Sequence, residues 1–451
     1  MQTTLVAEIG STTTIVNAFA NLDGNNPLFI GQGFAPTSVA DGDVLLGLQG
    51  ALSRLQQSMG QELQYEEFFA TSSAAGGLKM TVHGLVYDMT VKAAQEAALG
   101  AGAVVKMVTA GKLGEQELVQ IGNIKPNIIL LAGGVDYGDK VVVLHNARTL
   151  GLGLNKLGFK VPIIYAGNVA AGDEVEQIIK HAGLSLYRVP NVYPTIDQLN
   201  VEPTRRVIQT AFEACITQAP GMKRIRELVH GAVMPTPGAV MRAAESLYTE
   251  IGDLMVIDVG GATTDVHSVS EGSEEIRRIA LGPEPIAKRS VEGDLGVYVN
   301  AGHLFTLIGE EQLVRCYGAD FAKLLKPVPD SLQEIALSRQ LTATAVDVAV
   351  KRHAGKLVHF FGPTGRSTHA LGKDLTGVRT IVGTGGALTR LPGGIEIVSA
   401  VRAQGGKQLL PPLSATVMLD NYYIFAAMGV VADKHPQGSL YLMRESMGIE
   451  R

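Results

Sequence analysis

A nine-residue pattern occurs twice in this chain, 250 positions apart. Val6-Ala7-Glu8-Ile9-Gly10-Ser11-Thr12-Thr13-Thr14 and Val256-Ile257-Asp258-Val259-Gly260-Gly261-Ala262-Thr263-Thr264 follow one plan. Each has an apolar run, an acid, one apolar residue, a glycine, two small residues and a threonine pair. Thr4 to Ile9 reads as a strand, Ser11 to Thr14 as a turn and Ile15 to Phe19 as a second strand. Leu254 to Val259 and Asp265 to Val269 frame the second copy in the same way, so each copy is a β-hairpin. Two matched hairpins this far apart imply duplicated halves that face each other.

The residue types suggest what such hairpins hold. Gly10 and Gly260 are expected to take turn geometries closed to other residues and to expose successive backbone N–H groups as an anion nest. Ser11, Thr12 and Thr13 in one copy, and Gly261, Ala262 and Thr263 in the other, complete the two turns and add hydroxyl donors. Glu8 and Asp258, at the strand ends, are placed to hold a hydrated Mg²⁺, which keeps several waters and bridges phosphates. Either hairpin alone is an ordinary Gly-Ser-Thr turn; the pair points to a polyphosphate gripped from both sides. A third element follows in order. Ile381-Val382-Gly383-Thr384-Gly385-Gly386-Ala387 is a strand entering a glycine-rich turn that opens a helix, where Gly383, Gly385 and Gly386 would border a nucleoside.

Elsewhere strands alternate with helical stretches. Helical spacing marks Leu45 to Met59, Leu85 to Val108 and Asp173 to Ala182. The strands Ile128 to Leu131 and Val161 to Tyr165 flank a helix over Val141 to Leu157, a unit of parallel-sheet type. Residues 197–250 read as mainly helical, with Pro235-Thr236-Pro237-Gly238 as a turn, and a final apolar helix is expected over Tyr423 to Ala432. The expected fold is α/β, with a first domain over 1–250 carrying a helical insertion and a second over 251–451, a nucleotide cleft lying between them.

Composition excludes several alternatives. The 46% apolar and 18% charged content supports sizeable cores. A net charge of −5 leaves no basic field for nucleic acid. Two cysteines, Cys215 and Cys316, cannot build a disulfide framework or an all-cysteine zinc site. Apolar runs fall far short of the ~20 residues that span a bilayer. The first residues lack the features of a signal peptide, so a cytoplasmic location is expected, without membrane association.

The order of phosphate hairpin, second phosphate hairpin and glycine-rich turn resembles the superfamily of acetate and sugar kinases, heat-shock chaperone ATPases and actin. Further segments resemble, more closely, the MutL/GlmL family of accessory proteins of adenosylcobalamin-dependent glutamate mutase and related aminomutases. These are Ser72-Ser73-Ala74-Ala75-Gly76-Gly77-Leu78, Leu130-Leu131-Ala132-Gly133-Gly134-Val135-Asp136, Ile164-Tyr165-Ala166-Gly167-Asn168, Glu292-Gly293-Asp294-Leu295-Gly296 and Asp420-Asn421-Tyr422-Tyr423-Ile424-Phe425-Ala426-Ala427. The resemblance spans essentially the whole chain. It implies two actin-like ATPase domains of ribonuclease H type, ATP and Mg²⁺ as ligands, and mutase subunits as partners, with self-association open. It also exposes a departure, because the superfamily usually has Asp where this chain has Glu8. One extra methylene shifts the site and suits slow hydrolysis better than fast phosphoryl transfer.

Asp136, after a strand and a glycine pair, is a candidate general base or metal ligand aimed into the cleft; a turn-forming Asp is the plainer reading. Asn168 after Gly167, and Glu292 with Asp294, carry the same ambiguity. His353 and His359 read as packed or surface residues, and Cys215 as a buried small hydrophobe. Lys223-Arg224-x-Arg226 reads as a solvated helix face. Three functions remain open: an ATP-driven reactivating factor, a small-molecule kinase using Asp136 as base, and an assembly protein without turnover.

Overall fold

The computed structural model describes residues 2–38, 43–60, 62–73, 78–216, 222–231, 233–363, 365–403 and 405–449. The first hairpin forms as β1 (Thr3–Ile9) and β2 (Thr13–Ala20), extended antiparallel by β3 (Leu28–Pro36). β4 (Glu67–Ser72) then pairs parallel to β1. All seven residues of β1 are buried, because both faces of the sheet are covered.

The chain then leaves this sheet to build another. β5 (Leu78–Gly84), β6 (Ala103–Ala110), β7 (Ile128–Leu131), β8 (Ile163–Tyr165) and β9 (Leu186–Arg188) form a wholly parallel sheet in the order β6-β5-β7-β8-β9. Taken along the chain, that is the 2-1-3-4-5 order of doubly wound α/β domains. The insertion is therefore not helical, as expected, but an α/β unit with its own core of Ile129, Leu131, Ile163 and Val175. The stretch read as one helix over Leu85 to Val108 divides into a π-helical turn (Tyr87–Val91), a helix (Lys92–Gly100) and β6. The break falls at Gly100-Ala101-Gly102. Gly102 has φ +93°, and the valines beyond it favour extended backbone.

β10 (Val233–Pro235) returns to the first sheet beside β4, giving β10-β4-β1-β2-β3. It lies partly where a turn was expected, and the helix after it, Thr236–Ile251, carries Pro237 in its first turn, where a missing N–H is tolerated. The second hairpin is β11 (Leu254–Val259) and β12 (Thr264–Val269), joined antiparallel by β13 (Ala287–Glu292). After the hairpin β14 (Lys356–Gly362) and β15 (Gly365–Leu371), β16 (Thr380–Thr384) and β17 (Thr416–Leu419) complete β13-β12-β11-β16-β17. Counted from each first strand, both sheets read 3-2-1-4-5, with the first three strands antiparallel and the last two parallel to the first. The repeated nine residues therefore head two copies of one topology, that of the actin-like ATPases.

The two copies share a core. Val6 and Phe19 of the first sheet and Val256 and Val382 of the second pack into one cluster with the Thr236–Ile251 and Phe425–Val431 helices. These helices cross at a glycine: a Cβ on Gly429 would stand 1.8 Å from Ala239 O. Among the described residues, no helix is long and apolar enough to cross a membrane.

Candidate functional site

Each hairpin turn closes on the same hydrogen bond. Gly10 N–H donates to Thr13 O at 3.0 Å, and Gly260 N–H to Thr263 O at 2.9 Å. Neither glycine has a positive φ, which corrects the expectation of a special backbone conformation. Crowding is the actual constraint, since a Cβ would lie 2.7 Å from Thr13 O at Gly10 and 3.2 Å from Thr263 O at Gly260. The same bonds remove both glycine amides from the expected nests, leaving Ser11, Thr12, Gly261 and Ala262 to present N–H groups at the tips.

The tips meet. A Cβ on Gly261 would lie 3.0 Å from Thr12 Cγ2, so the repeats face each other in contact. Thr37 braces the first tip, its N–H donating to Thr12 O and its hydroxyl to Gly10 O, both at 2.9 Å. The second tip rests on residues 296–300. Tyr298 and Val299 donate to Gly261 O at 2.9 and 2.7 Å, and Asn300 Nδ2 donates to Ala262 O at 2.7 Å. Gly296 is required there, because a Cβ would sit 2.3 Å from the Ala262 carbonyl carbon.

A cleft of about 640 Å³ opens around the tips, lined by Glu8, Gly10, Ser11, Thr12 and Thr13 on one side and by Asp258 and residues 259–263 on the other. That volume suits a nucleotide-sized ligand. Glu8 is buried, and burial, with Asp258 and Asp420 nearby, pushes its carboxyl up to about 8. Asp258 is pushed up to about 7 by burial and by Asp265 opposite it, against the pull of Arg289. Among the described residues neither Glu8 nor Asp258 forms an ion pair, and no three His, Cys, Asp or Glu side chains are grouped to hold a metal ion directly. Two mutually repelling carboxyls at a cleft floor fit a hydrated divalent cation held through water better than a direct protein cage.

Four residues not foreseen support this floor, Tyr423 and Asp265 lining the cleft and Asp420 and Arg289 standing behind it. Asp420 is fully buried and accepts from Thr384 Oγ1, Ser446 Oγ and the amides of Ile424 and Phe425, at 2.6 to 3.0 Å. Tyr423 Oη donates to Glu8 Oε1 at 3.4 Å. Asp265 pairs with the fully buried Arg289 at 2.7 Å, and Arg289 Nη1 reaches the carbonyls of Leu99 and Ala103 in the insertion. An Asp shortly before the final apolar helix could have signalled Asp420 as an acceptor for that helix's first amides, and Asp265 stands one residue past the repeat; nothing local marks Arg289.

The glycine-rich turn divides its labour. Gly386 lines the cleft with Ala387, Arg390 and Lys326. Gly383 and Gly385 do not line it. A Cβ on Gly383 would meet Leu419 and Val398, and one on Gly385, at φ +91°, would stand 2.4 Å from Val259 O. Both permit β16 to pack closely, contrary to the expected nucleoside contact. Arg390 donates to Gln32 Oε1 and to Tyr422 O, so the two halves are tied at the mouth of the cleft.

Asp136 is not part of this site. It lies in the insertion, where its Oδ1 accepts from Val169 N–H at 2.8 Å and Asn191 Nδ2 at 2.9 Å. Asn168 is buried beside it, bonded to the backbone of Tyr137, Gly138 and Asp139. Glu292 and Asp294 pair with Arg352, and neither lines the cleft. His353 is buried between Ser268 and Ser290, and His359 sits on the β14–β15 hairpin against Thr368. Arg224 is exposed and pairs with Asp43 at 3.8 Å. Cys316 is exposed and free, whereas the side chains of Cys215 and Lys223, and residues 74–77 of the Ser72–Leu78 segment, lie outside the described residues.

Three comparisons bear on this geometry. Residues 4–447 match the family model for "MutL protein". "Protein MutL" of Clostridium tetanomorphum is 37% identical over 467 residues, covering 99% of both chains. Among solved structures, a nucleotide-free diol dehydratase-reactivating factor is 12% identical with TM-score 0.39, covering 97% of this chain and all of that one. The xylulose kinase of Lactobacillus acidophilus is 9% identical with TM-score 0.34, covering 100% of this chain and 90% of that one. The duplicated sheets, the facing hairpins and an end-to-end sequence match together place the chain in the MutL protein family.

Proposed function

We propose that this chain binds ATP with Mg²⁺ in the cleft, hydrolyses it slowly, and uses the resulting domain movement to maintain or reactivate an adenosylcobalamin-dependent mutase of the glutamate mutase or aminomutase type. The observation that carries the nucleotide reading is the contact between the two tips, which puts two sets of turn amides on opposite sides of one pocket. Ser11 and Thr12 from one half, and Gly261 and Ala262 from the other, would donate to the terminal phosphates. Gly386, Ala387, Arg390 and Lys326 border the remaining volume, where the nucleoside fits.

Glu8 and Asp258 would hold the hydrated cation, which supplies charge neutralisation on the phosphates when bound. At neutral pH, with no cation, Glu8 carries a proton that it can share with the Tyr423 hydroxyl; a bound cation favours its ionised form. Asp258, nearer neutrality, is suited to orient the attacking water. Loss of the terminal phosphate would remove a ligand shared by both tips and leave only their direct contact, so ATP would favour a tighter cleft and ADP a looser one.

The client is the one implied by the resemblance to accessory proteins of adenosylcobalamin-dependent mutases, in whose family the chain falls. A kinase reading loses the base assigned to it, since Asp136 sits in the insertion. The test is ATP binding by calorimetry, followed by ADP release with and without purified glutamate mutase and with small carboxylate or sugar acceptors. Turnover that is acceptor-independent and altered by the mutase supports the proposal; acceptor-dependent ADP release would favour a kinase, and absence of nucleotide binding would sink both.

A further inference from the structure

The insertion has no part in the cleft, yet side chains cross-link several of its loops. Its five strands are parallel, so every segment that follows a strand emerges at the same, carboxyl edge. In doubly wound sheets that edge ordinarily holds a small ligand in the crevice where strand order reverses, here between β5 and β7. That crevice is crowded, and the cavity at this edge, about 410 Å³, lies instead beside Asp136, Val169 and Asn191. A Cβ on Gly134 would already lie 3.2 Å from Leu85, and a Cβ on Gly84 2.7 Å from Val91. The helix that follows, Val141–Lys156, has its first amides taken by Asp139, so it offers no free anion site.

Three buried or half-buried polar residues instead lock the loops after β7, β8 and β9 together. Asp136 Oδ1 receives Val169 N–H and Asn191 Nδ2, Asn168 Oδ1 receives Tyr137 N–H at 2.9 Å, and Asn191 Nδ2 also reaches Gly134 O at 3.0 Å. The outcome is a rigid platform from which apolar side chains project into solvent. Tyr137 is 84% exposed and held at φ +62°, with Val141 exposed at the start of the next helix, Val169 and Ile196 after β8 and β9, and Val86 and Tyr87 after β5. Isolated exposed apolar residues need no explanation, but several on one braced edge mark an interaction surface. Around them Asp88, Asp139, Asp173, Glu174 and Asp197 are exposed, against Lys140 and Arg188, leaving the rim acidic.

We infer that this edge docks a protein subunit whose contact face is apolar at its centre and basic at its rim, and that the subunit belongs to the client enzyme. The inference rests on the accessory reading above. It gives Asp136 and Asn168 a positioning role. The location also explains how docking can feel the nucleotide: Arg289 ties Asp265, opposite Asp258, to Leu99 and Ala103 at the opposite end of the insertion.

The test uses the full chain and purified glutamate mutase, with affinity measured by surface plasmon resonance in ATP at two salt concentrations. Tyr137→Asn removes the phenol and keeps a residue that tolerates positive φ. It should weaken binding at least tenfold while leaving ATP turnover without mutase unchanged. Val169→Ser gives a second apolar deletion with the same expectation. Glu174→Lys should weaken binding and flatten its salt dependence. If the unmodified chain and all three variants bind equally well, the platform is wrong and the accessory reading stands. If the unmodified chain binds ATP but no mutase, the accessory reading and this occupant fall together. A dimer in sedimentation that Tyr137→Asn converts to monomer would overturn the proposal in favour of a second copy.

Discussion

Glu8 and Asp258 repel each other, and among the described residues neither forms an ion pair, which makes the cleft floor pH-sensitive. The Glu8 carboxyl titrates at about 8 in the folded chain, above its ordinary value near 4.5. Between those values the folded chain holds a proton that the unfolded chain has released, so stability falls as pH rises from about 4.5 to about 8 and levels beyond. Glu8→Gln removes the Glu8 share of that dependence and leaves the Asp258 share. Its stability should match the unmodified chain near pH 4.5 and exceed it at pH 8 by on the order of 4 kcal/mol, read as a higher melting temperature. Thermal unfolding across pH 5–9 checks this, and Mg²⁺ with nucleotide should shrink the gap. Asp258→Ala should lower ATP hydrolysis by about a hundredfold or more, with nucleotide affinity changed far less. Hydrolysis at the unmodified rate would show that the engine has been assigned to the wrong carboxylate.

At the scale of elements, β11 and the turn after β16 are pressed together around Asp258. Gly385 combines φ +91° with a Cβ position 2.4 Å from Val259 O and 2.8 Å from Asp258 Oδ1. Gly385→Ala should therefore destabilise the fold by about 3 kcal/mol, read as a lower melting temperature, and should impair hydrolysis by displacing Asp258. At the hairpin tips Gly261, not Gly260, is where a side chain meets the opposite half. Gly261→Val should abolish nucleotide binding, measured by calorimetry, whereas Gly260→Ala, facing only Thr263 O, should be milder. Both hairpins were legible because strand, acid and turn are contiguous in the chain. Gly383 and Gly385 were not, since what crowds them comes from Leu419, Val398 and Val259, remote in sequence.

Over the whole molecule, the two halves are joined by crossed helices that share one core, by the Gln32–Arg390 contact at the mouth, and through the insertion by ion pairs. Lys92 of the insertion pairs with Glu284, and Glu96 with Lys373 at 3.0 Å. Arg289 is the most deeply placed of these links. Arg289→Met leaves Asp265 buried without its partner, a change that costs about 3–5 kcal/mol where the remaining charge cannot be resolvated. Arg289→Met combined with Asp265→Asn should recover much of that loss. The double variant, if folded, should still bind ATP while any effect of the mutase on turnover is diminished, as ADP release with and without mutase would show.

The repeated acid-x-Gly-small-small-Thr pattern was sufficient to specify two hairpins, their pairing across a cleft and the α/β class, because each depends on local periodicity and turn chemistry. The insertion was read only in part: the parallel strand-helix-strand unit over 128–165 was legible, but the segments before it were not. Its Ala-rich and Val-rich stretches run together, so a helix and a strand looked like one helix, and the parallel partners of β5 and β6 could not be assigned from neighbours in the chain. Asp136 shows the limit most plainly. A strand followed by Gly-Gly-Val-Asp aims a carboxylate at the edge of some sheet, but which of three sheets holds that strand was decided by long-range pairing. The tertiary structure turned Asp136 away from the cleft, and brought Asp265, Asp420, Tyr423 and Arg289 to it, because burial and opposite charge act through space between segments that sequence distance keeps apart.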